Sequence, residues 1–170
     1  MPQIAESRDQ VKHKLATDVL RTTGKVCLAA FGYSMLPTIW PGDLLTIEAR
    51  SLEQIRVGDV VLFSREDRFF IHRVVDTFDA NSGRCLIARG DALPDDDAAV
   101  LPEQVLGKVT VLRRSDREIE VPACSTARRL VGLLLTASGR LRSLTLRWHA
   151  WHSPAAGSKS KLAPESISLG

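Results

Sequence analysis

The sequence predicts a mainly β fold, an antiparallel barrel or sandwich with one helix at its start. Three observations carry this. Seven short apolar runs of strand length lie between Val26 and Val121. Turn-forming groups such as Gly42-Asp43, Gly58-Asp59 and Asn81-Ser82-Gly83 separate them. Few helical stretches come between the runs, and many short strands at this spacing favour antiparallel pairing.

Taken in order, residues 7–23 read as a helix. Ser7 is its N-cap, Val11, Leu15, Val19 and Leu20 share one face, and Gly24 stops it. One helix is too short for a helix-turn-helix, which argues against a built-in DNA-reading domain. Residues 26–31 form a strand that runs into Phe-Gly-Tyr-Ser-Met-Leu-Pro-Thr-Ile-Trp-Pro-Gly-Asp, residues 31–43. There Pro37 and Pro41 stiffen the chain, because each fixes φ and removes a donor. Strands follow at 44–49 and 60–63, bridged by 53–57 and the Gly58-Asp59 turn. Ser64 to Asp67 is a polar turn, and the strand at 69–75 has His72 in its middle. A hairpin turn at Asn81-Ser82-Gly83 returns the chain along 84–88 to Arg89-Gly90-Asp91. Residues 91–99 are an acidic loop, and 105–112 and 119–121 are the last strands.

Beyond Pro122 the character changes. Residues 125–150 are apolar and arginine-rich, with Leu130, Leu133, Leu134, Leu141, Leu144 and Trp148 near helical spacing. This segment either packs on the β domain or lies in a lipid interface with its arginines at the headgroups. Residues 153–170 have the composition of a disordered tail. The organisation expected is therefore a helix (1–24), a β domain (25–122), a basic amphipathic segment (123–152) and a tail (153–170).

A chain of 170 residues suits one domain with a sizeable core. Its net charge of +3 is too small to argue for nucleic acid, but eight arginines between Arg113 and Arg147 suggest a basic C-terminal part facing something anionic. Cys27, Cys85 and Cys124 stand far apart, as buried thiols in a reducing compartment would. Neither an export signal nor an apolar window of membrane-spanning length is present. The expectation is a cytoplasmic or membrane-peripheral protein, with no metal or other cofactor and no nucleic-acid partner.

Ser34, on a rigid turn beside a strand, has the placement of a nucleophile, and a serine hydroxyl needs a base. Of the four histidines only His72 lies inside the predicted β core, and no lysine occurs from Val26 to Gly107. An acid should orient the imidazole. Asp91, Asp95, Asp96 and Asp97 are the candidates, whereas Asp43 and Asp59 read as turn formers. The acidic loop lacks the spacing of an EF-hand. Gly32 offers no hydroxyl, so an oxyanion would rely on backbone N–H groups around Ser34.

These residues fall into a recognisable pattern. Phe31 to Thr38 with Gly42-Asp43 resembles the serine box of the signal peptidase I family. Gly58-Asp59-Val-Val-Leu-Phe resembles the box after it, and Phe70-Ile71-His72-Arg73-Val74-Val75 the base box. Bacterial members carry lysine before Arg-Val. Histidine there resembles the archaeal and endoplasmic-reticulum branch. Arg89-Gly90-Asp91 resembles the last box, with Ala92 where asparagine is usual. The four boxes occur in family order over about residues 26–112, and the membrane anchor of signal peptidases is missing.

The resemblance implies a β-rich catalytic fold shared with the self-cleaving LexA-type repressors, and a serine endopeptidase that matures a protein or peptide precursor. It matches Ser34 to the nucleophile, His72 to the base, Asp97 to the acid of the triad and Asp91 to a supporting acid. Gly32, Tyr33 and Met35 fall at oxyanion or substrate-binding positions. The substrate is expected to be an extended peptide added as a strand, with a peripheral membrane contact through residues 125–150. Two other readings share these residues: a LexA-like self-cleaving or regulatory module, and an inactive relic that binds peptides.

Overall fold

The computed structural model describes residues 3–80, 83–122 and 130–134. Helix α1 (Gln3–Thr23) leads into seven strands: β1 (Lys25–Ala29), β2 (Leu44–Glu48), β3 (Val60–Arg65), β4 (Arg68–Ala80), β5 (Gly83–Arg89), β6 (Val105–Arg114) and β7 (Arg117–Ile119). All pair antiparallel in one sheet of order β1-β2-β6-β3-β4-β5, with β7 on β6. The fold is mainly β, as predicted. Among the described residues β1 and β5 end the strand order and do not pair with each other, so hydrogen bonds do not close the sheet into a barrel.

Alternation along β3 explains how one sheet makes two cores, because successive side chains point to opposite faces. Val60 and Leu62 join Leu20, Ala30, Met35, Ile39, Leu45, Ile47, Val109 and Leu112 on one face. Val61 and Phe63 join Leu52, Ile55, Val74, Leu86, Ala88 and Val100 on the other. The residues just after β1 belong to the first cluster, which ties the loop carrying Ser34 to the core.

β4 changes partners along its length. Arg68 to Arg73 pair with β3, and Arg73 to Ala80 pair with β5, with a bulge between Val74 and Asp76. Phe69, Ile71 and their neighbours therefore have a strand on one side only. His72 sits one residue before the change.

Helix α1 differs from the expectation in two ways. It begins at Gln3, so Ser7 lies inside it and does not cap it. Val11 and Leu15, expected on the buried face, are 65% and 63% exposed, whereas Leu20 is buried. The inward position falls to His13, whose ring lies 4.2 Å from that of Phe69 and whose Nε2 is 2.7 Å from Ser64 Oγ. With both polar and ring partners available, a histidine takes the place that apolar spacing gave to valine and leucine. Gly24 ends the helix at φ +73°, donating its N–H to the Leu20 carbonyl at 2.9 Å.

The polar turn predicted over Ser64 to Asp67 is shorter, because β3 and β4 extend into it. Only Glu66 and Asp67 turn, with φ of 51° and 56°, a geometry that matches the twist of the flanking strands. Ser115 and Asp116 turn in the same way between β6 and β7. Arg113, Arg114 and Arg117 thereby belong to strands, not to a basic C-terminal segment. Cys85 is buried but Cys27 is exposed, against the expectation of buried thiols. Cys124, the 81–82 turn positions, the tail at 153–170 and most of the 125–150 segment lie outside the described residues. Residues 130–134 are helical.

Candidate active site

The loop that carries Ser34 is closed at its neck and fixed from within. Ala30 N–H donates to the Asp43 carbonyl at 2.8 Å, and Gly42 N–H to the Ala30 carbonyl at 2.9 Å. Leu36 N–H donates to the Tyr33 carbonyl, and the N–H groups of Thr38 and Ile39 both donate to the Met35 carbonyl. Met35, Leu36 and Ile39 are buried, whereas Phe31 is 89% exposed. Gly32 takes φ +83°, a region that side chains other than glycine rarely adopt.

A second set of bonds holds the far end of this loop. The buried Asp43 carboxylate accepts from Trp40 N–H at 2.7 Å and from Arg114 Nε and Nη2 at 2.8 and 2.6 Å. Arg114 Nη2 also donates to the Thr38 carbonyl, and the guanidinium lies 5.9 Å from the Trp40 ring centre. Asp43, read as a turn former, is thus a turn former with a cation. Asp59 behaves alike, accepting from Arg56 N–H and pairing with Lys108.

His72 is 5% exposed and stands between two oxygens. Its Nε2 is 3.0 Å from Ser34 Oγ, and its Nδ1 is 2.6 Å from Asp97 Oδ2. The Phe63 and Phe70 rings lie about it, 6.1 and 6.2 Å between centres. Asp97 reaches His72 because the acidic loop folds back on β5: Asp97 N–H donates to the Ala88 carbonyl, and Val100 N–H to the Leu86 carbonyl. Asp96 turns outward to Arg89.

Asp91 is not brought to His72. It is buried against Arg73, with Arg73 Nε to Oδ1 and Nη2 to Oδ2 both 2.8 Å. Arg73 also donates to the carbonyls of Gly58 and Pro122. This junction holds the end of β5 against Ser34. Ala92 N–H donates to the Ser34 carbonyl at 2.8 Å, and a Cβ on Gly90 would stand 2.6 Å from that same oxygen. Where the resembled box has asparagine, the backbone of a fully buried Ala92 makes the bond.

A cleft of about 590 Å³ opens beside Ser34 and His72. One wall runs from Leu28 through Gly32, Tyr33 and Met35, and the other from Arg68 to Ile71. The three residues expected to bind substrate or oxyanion therefore line it. The roles of Arg73, Arg114 and the Ala92 amide were not legible residue by residue. A signal existed for the first two: an aspartate in a Gly-Asp turn that becomes buried needs a cation.

Among the described residues no cluster of histidine, cysteine, aspartate and glutamate could hold a metal ion, and no helix is long and apolar enough to cross a membrane. Comparison with curated proteins gives no match. The family model described as Peptidase S24-like matches residues 1–110, a stretch that contains α1, Ser34, His72, Asp91 and Asp97. On that match the chain belongs to the Peptidase S24-like family and is a peptidase-fold protein.

Proposed function

We propose that this chain is a serine endopeptidase of the histidine-base type, maturing a protein or peptide precursor by cutting one extended segment. The observation that supports it is the line from Ser34 Oγ to His72 Nε2 at 3.0 Å and from His72 Nδ1 to Asp97 Oδ2 at 2.6 Å. A base within this reach can take the hydroxyl proton as Oγ attacks a carbonyl carbon. Asp97 accepts a hydrogen bond from Nδ1–H, which leaves the Nε2 lone pair free to act, and stabilises the imidazolium that forms. His72 then passes the proton to the leaving amine as the C–N bond breaks, giving an acyl-Ser34. Water, deprotonated by His72, hydrolyses that ester and restores the serine.

The developing oxyanion falls to backbone N–H groups of the Ser34–Met35 turn, since Gly32 carries no hydroxyl. The substrate enters the cleft between the free edge of β1 and the half of β4 that has a strand on one side only. Backbone bonds to both edges would hold it extended, and the apolar walls suit small or apolar side chains.

Labelling with a fluorophosphonate tests the reading without knowledge of the substrate. The wild type should be labelled at Ser34, while Ser34→Ala and His72→Ala should not be. A folded wild-type protein that resists labelling, or a Ser34→Ala protein labelled at the wild-type rate, overturns it. The first of those results is what an inactive peptide-binding relic would give.

A further inference from the structure

We infer that residues 130–134 brace the Ser34 turn, with Gly132 as the positioning residue. The consequence for activity rests on the peptidase reading above. Gly132 is buried, although its helical neighbours Leu130, Val131 and Leu134 are exposed. A Cβ at this position would stand 2.5 Å from the Leu36 carbonyl oxygen, 3.1 Å from Ala92 Cα and 3.2 Å from the Asp91 carbonyl oxygen. All three are backbone atoms, which cannot swing aside as the tip of a side chain can.

Those three atoms belong to the two segments that meet at Ser34. Leu36 lies two residues beyond Ser34 in the same turn, where its N–H is held by the Tyr33 carbonyl. Ala92 donates to the Ser34 carbonyl, and the Asp91 side chain is locked on Arg73. Arg73 in turn holds the Pro122 carbonyl, at the point where the chain leaves the sheet towards this helical piece. Leu36 and Ala92, both fully buried, form a small cluster with Trp40 beneath the contact. Gly132 therefore closes a circuit through Leu36, Ser34 and Ala92.

The circuit bears on chemistry because Ser34 Oγ must stay within hydrogen-bond reach of His72 Nε2. A displacement of about 1 Å at a reacting group costs on the order of a hundredfold in rate. Any side chain at 132 must either lift the helical piece away or part the two backbones by a comparable distance. The family match ends at residue 110, so this brace lies beyond the matched stretch.

The test uses the full chain with Gly132→Ala and Gly132→Val, and Leu134→Ala as control. The first readout is amide hydrogen exchange, which does not depend on enzymatic activity. Exchange at Ala92, Thr38 and Ile39 should quicken about tenfold or more in Gly132→Val and less in Gly132→Ala, while the β3–β4 amides stay as in the wild type. The second is fluorophosphonate labelling of Ser34, which should slow about tenfold or more in Gly132→Val. Leu134→Ala should match the wild type in both. Wild-type exchange at Ala92 in a folded Gly132→Val protein overturns the brace, and so does faster exchange spread evenly over the sheet. If Gly132→Val does not fold, Gly132→Ala carries the same decision. Absence of labelling in the wild type would count against the peptidase reading alone, and the exchange pattern would still decide the brace.

Discussion

Arg73 and Asp91 meet as a buried two-bond pair, Nε to Oδ1 and Nη2 to Oδ2 at 2.8 Å each, next to His72 on β4 and next to Ala92 in the turn after β5. Removing one partner leaves the other charge buried and uncompensated, a loss of about 3–5 kcal/mol. Asp91→Ala should therefore lower stability by that amount in chemical denaturation. It should also loosen the Ala92 amide bonded to the Ser34 carbonyl. A loss below about 1 kcal/mol would mean that water reaches the guanidinium and that the pair is not a structural anchor.

The Asp97 contact predicts a different phenotype. Asp97→Asn keeps the shape but presents an amide that can donate to Nδ1, which favours the tautomer with Nε2 protonated. In a serine–histidine–aspartate arrangement such a change lowers kcat on the order of 10⁴-fold. KM and thermal stability should move little, because the partly buried Asp97 is replaced by a side chain of the same shape and acts on His72. Asp96→Asn is the control. Its own carboxylate is exposed, and exposed pairs contribute about 0–1 kcal/mol. An Asp97→Asn enzyme within about tenfold of wild type would remove Asp97 from the mechanism.

The path from sequence to site was uneven for physical reasons. Ser34 and His72 could be found because each lies in a stretch whose local pattern is strong: a proline-stiffened turn after a strand, and a lone imidazole amid β-forming residues. The choice between Asp91 and Asp97 could not be made from spacing. It depends on the bond from Asp97 N–H to the Ala88 carbonyl, which exists only once the acidic loop folds onto β5. Apolar spacing placed Val11 and Leu15 inward, but the ring and hydroxyl partners of His13 lie on strands β3 and β4, far away in sequence. Gly132 left no trace at all, since close approach of backbones is a property of the assembled fold.

Arg114 offers a test of what holds the Ser34 loop from its other end. Its guanidinium neutralises Asp43, which is buried, and ties down the Thr38 carbonyl. The arginine itself keeps some contact with solvent, so the cost of Arg114→Met should fall below that of a fully buried pair, about 2–3 kcal/mol. For a chain of this size that is roughly 4–12 °C in Tm. Lys108→Met, which removes the more exposed pair with Asp59, should cost under about 1 kcal/mol. Equal effects of the two substitutions would deny Asp43 its special place.

The β3–β4 hairpin predicts a gain. Glu66 and Asp67 both hold φ near +50°, where a side chain meets the following carbonyl and each residue forfeits about 1 kcal/mol. Asparagine followed by glycine is the pair best suited to this two-residue turn. Glu66→Asn with Asp67→Gly keeps the register from Arg65–Arg68 onward, because the loop length is unchanged. Glycine adds some freedom to the unfolded chain, which offsets part of the relief. The net result should be about 1 kcal/mol of added stability, a rise of roughly 2–4 °C in Tm. Labelling of Ser34 should be unaltered, since neither residue lines the cleft. An unchanged or lower Tm would show that the two residues rest in this turn without strain.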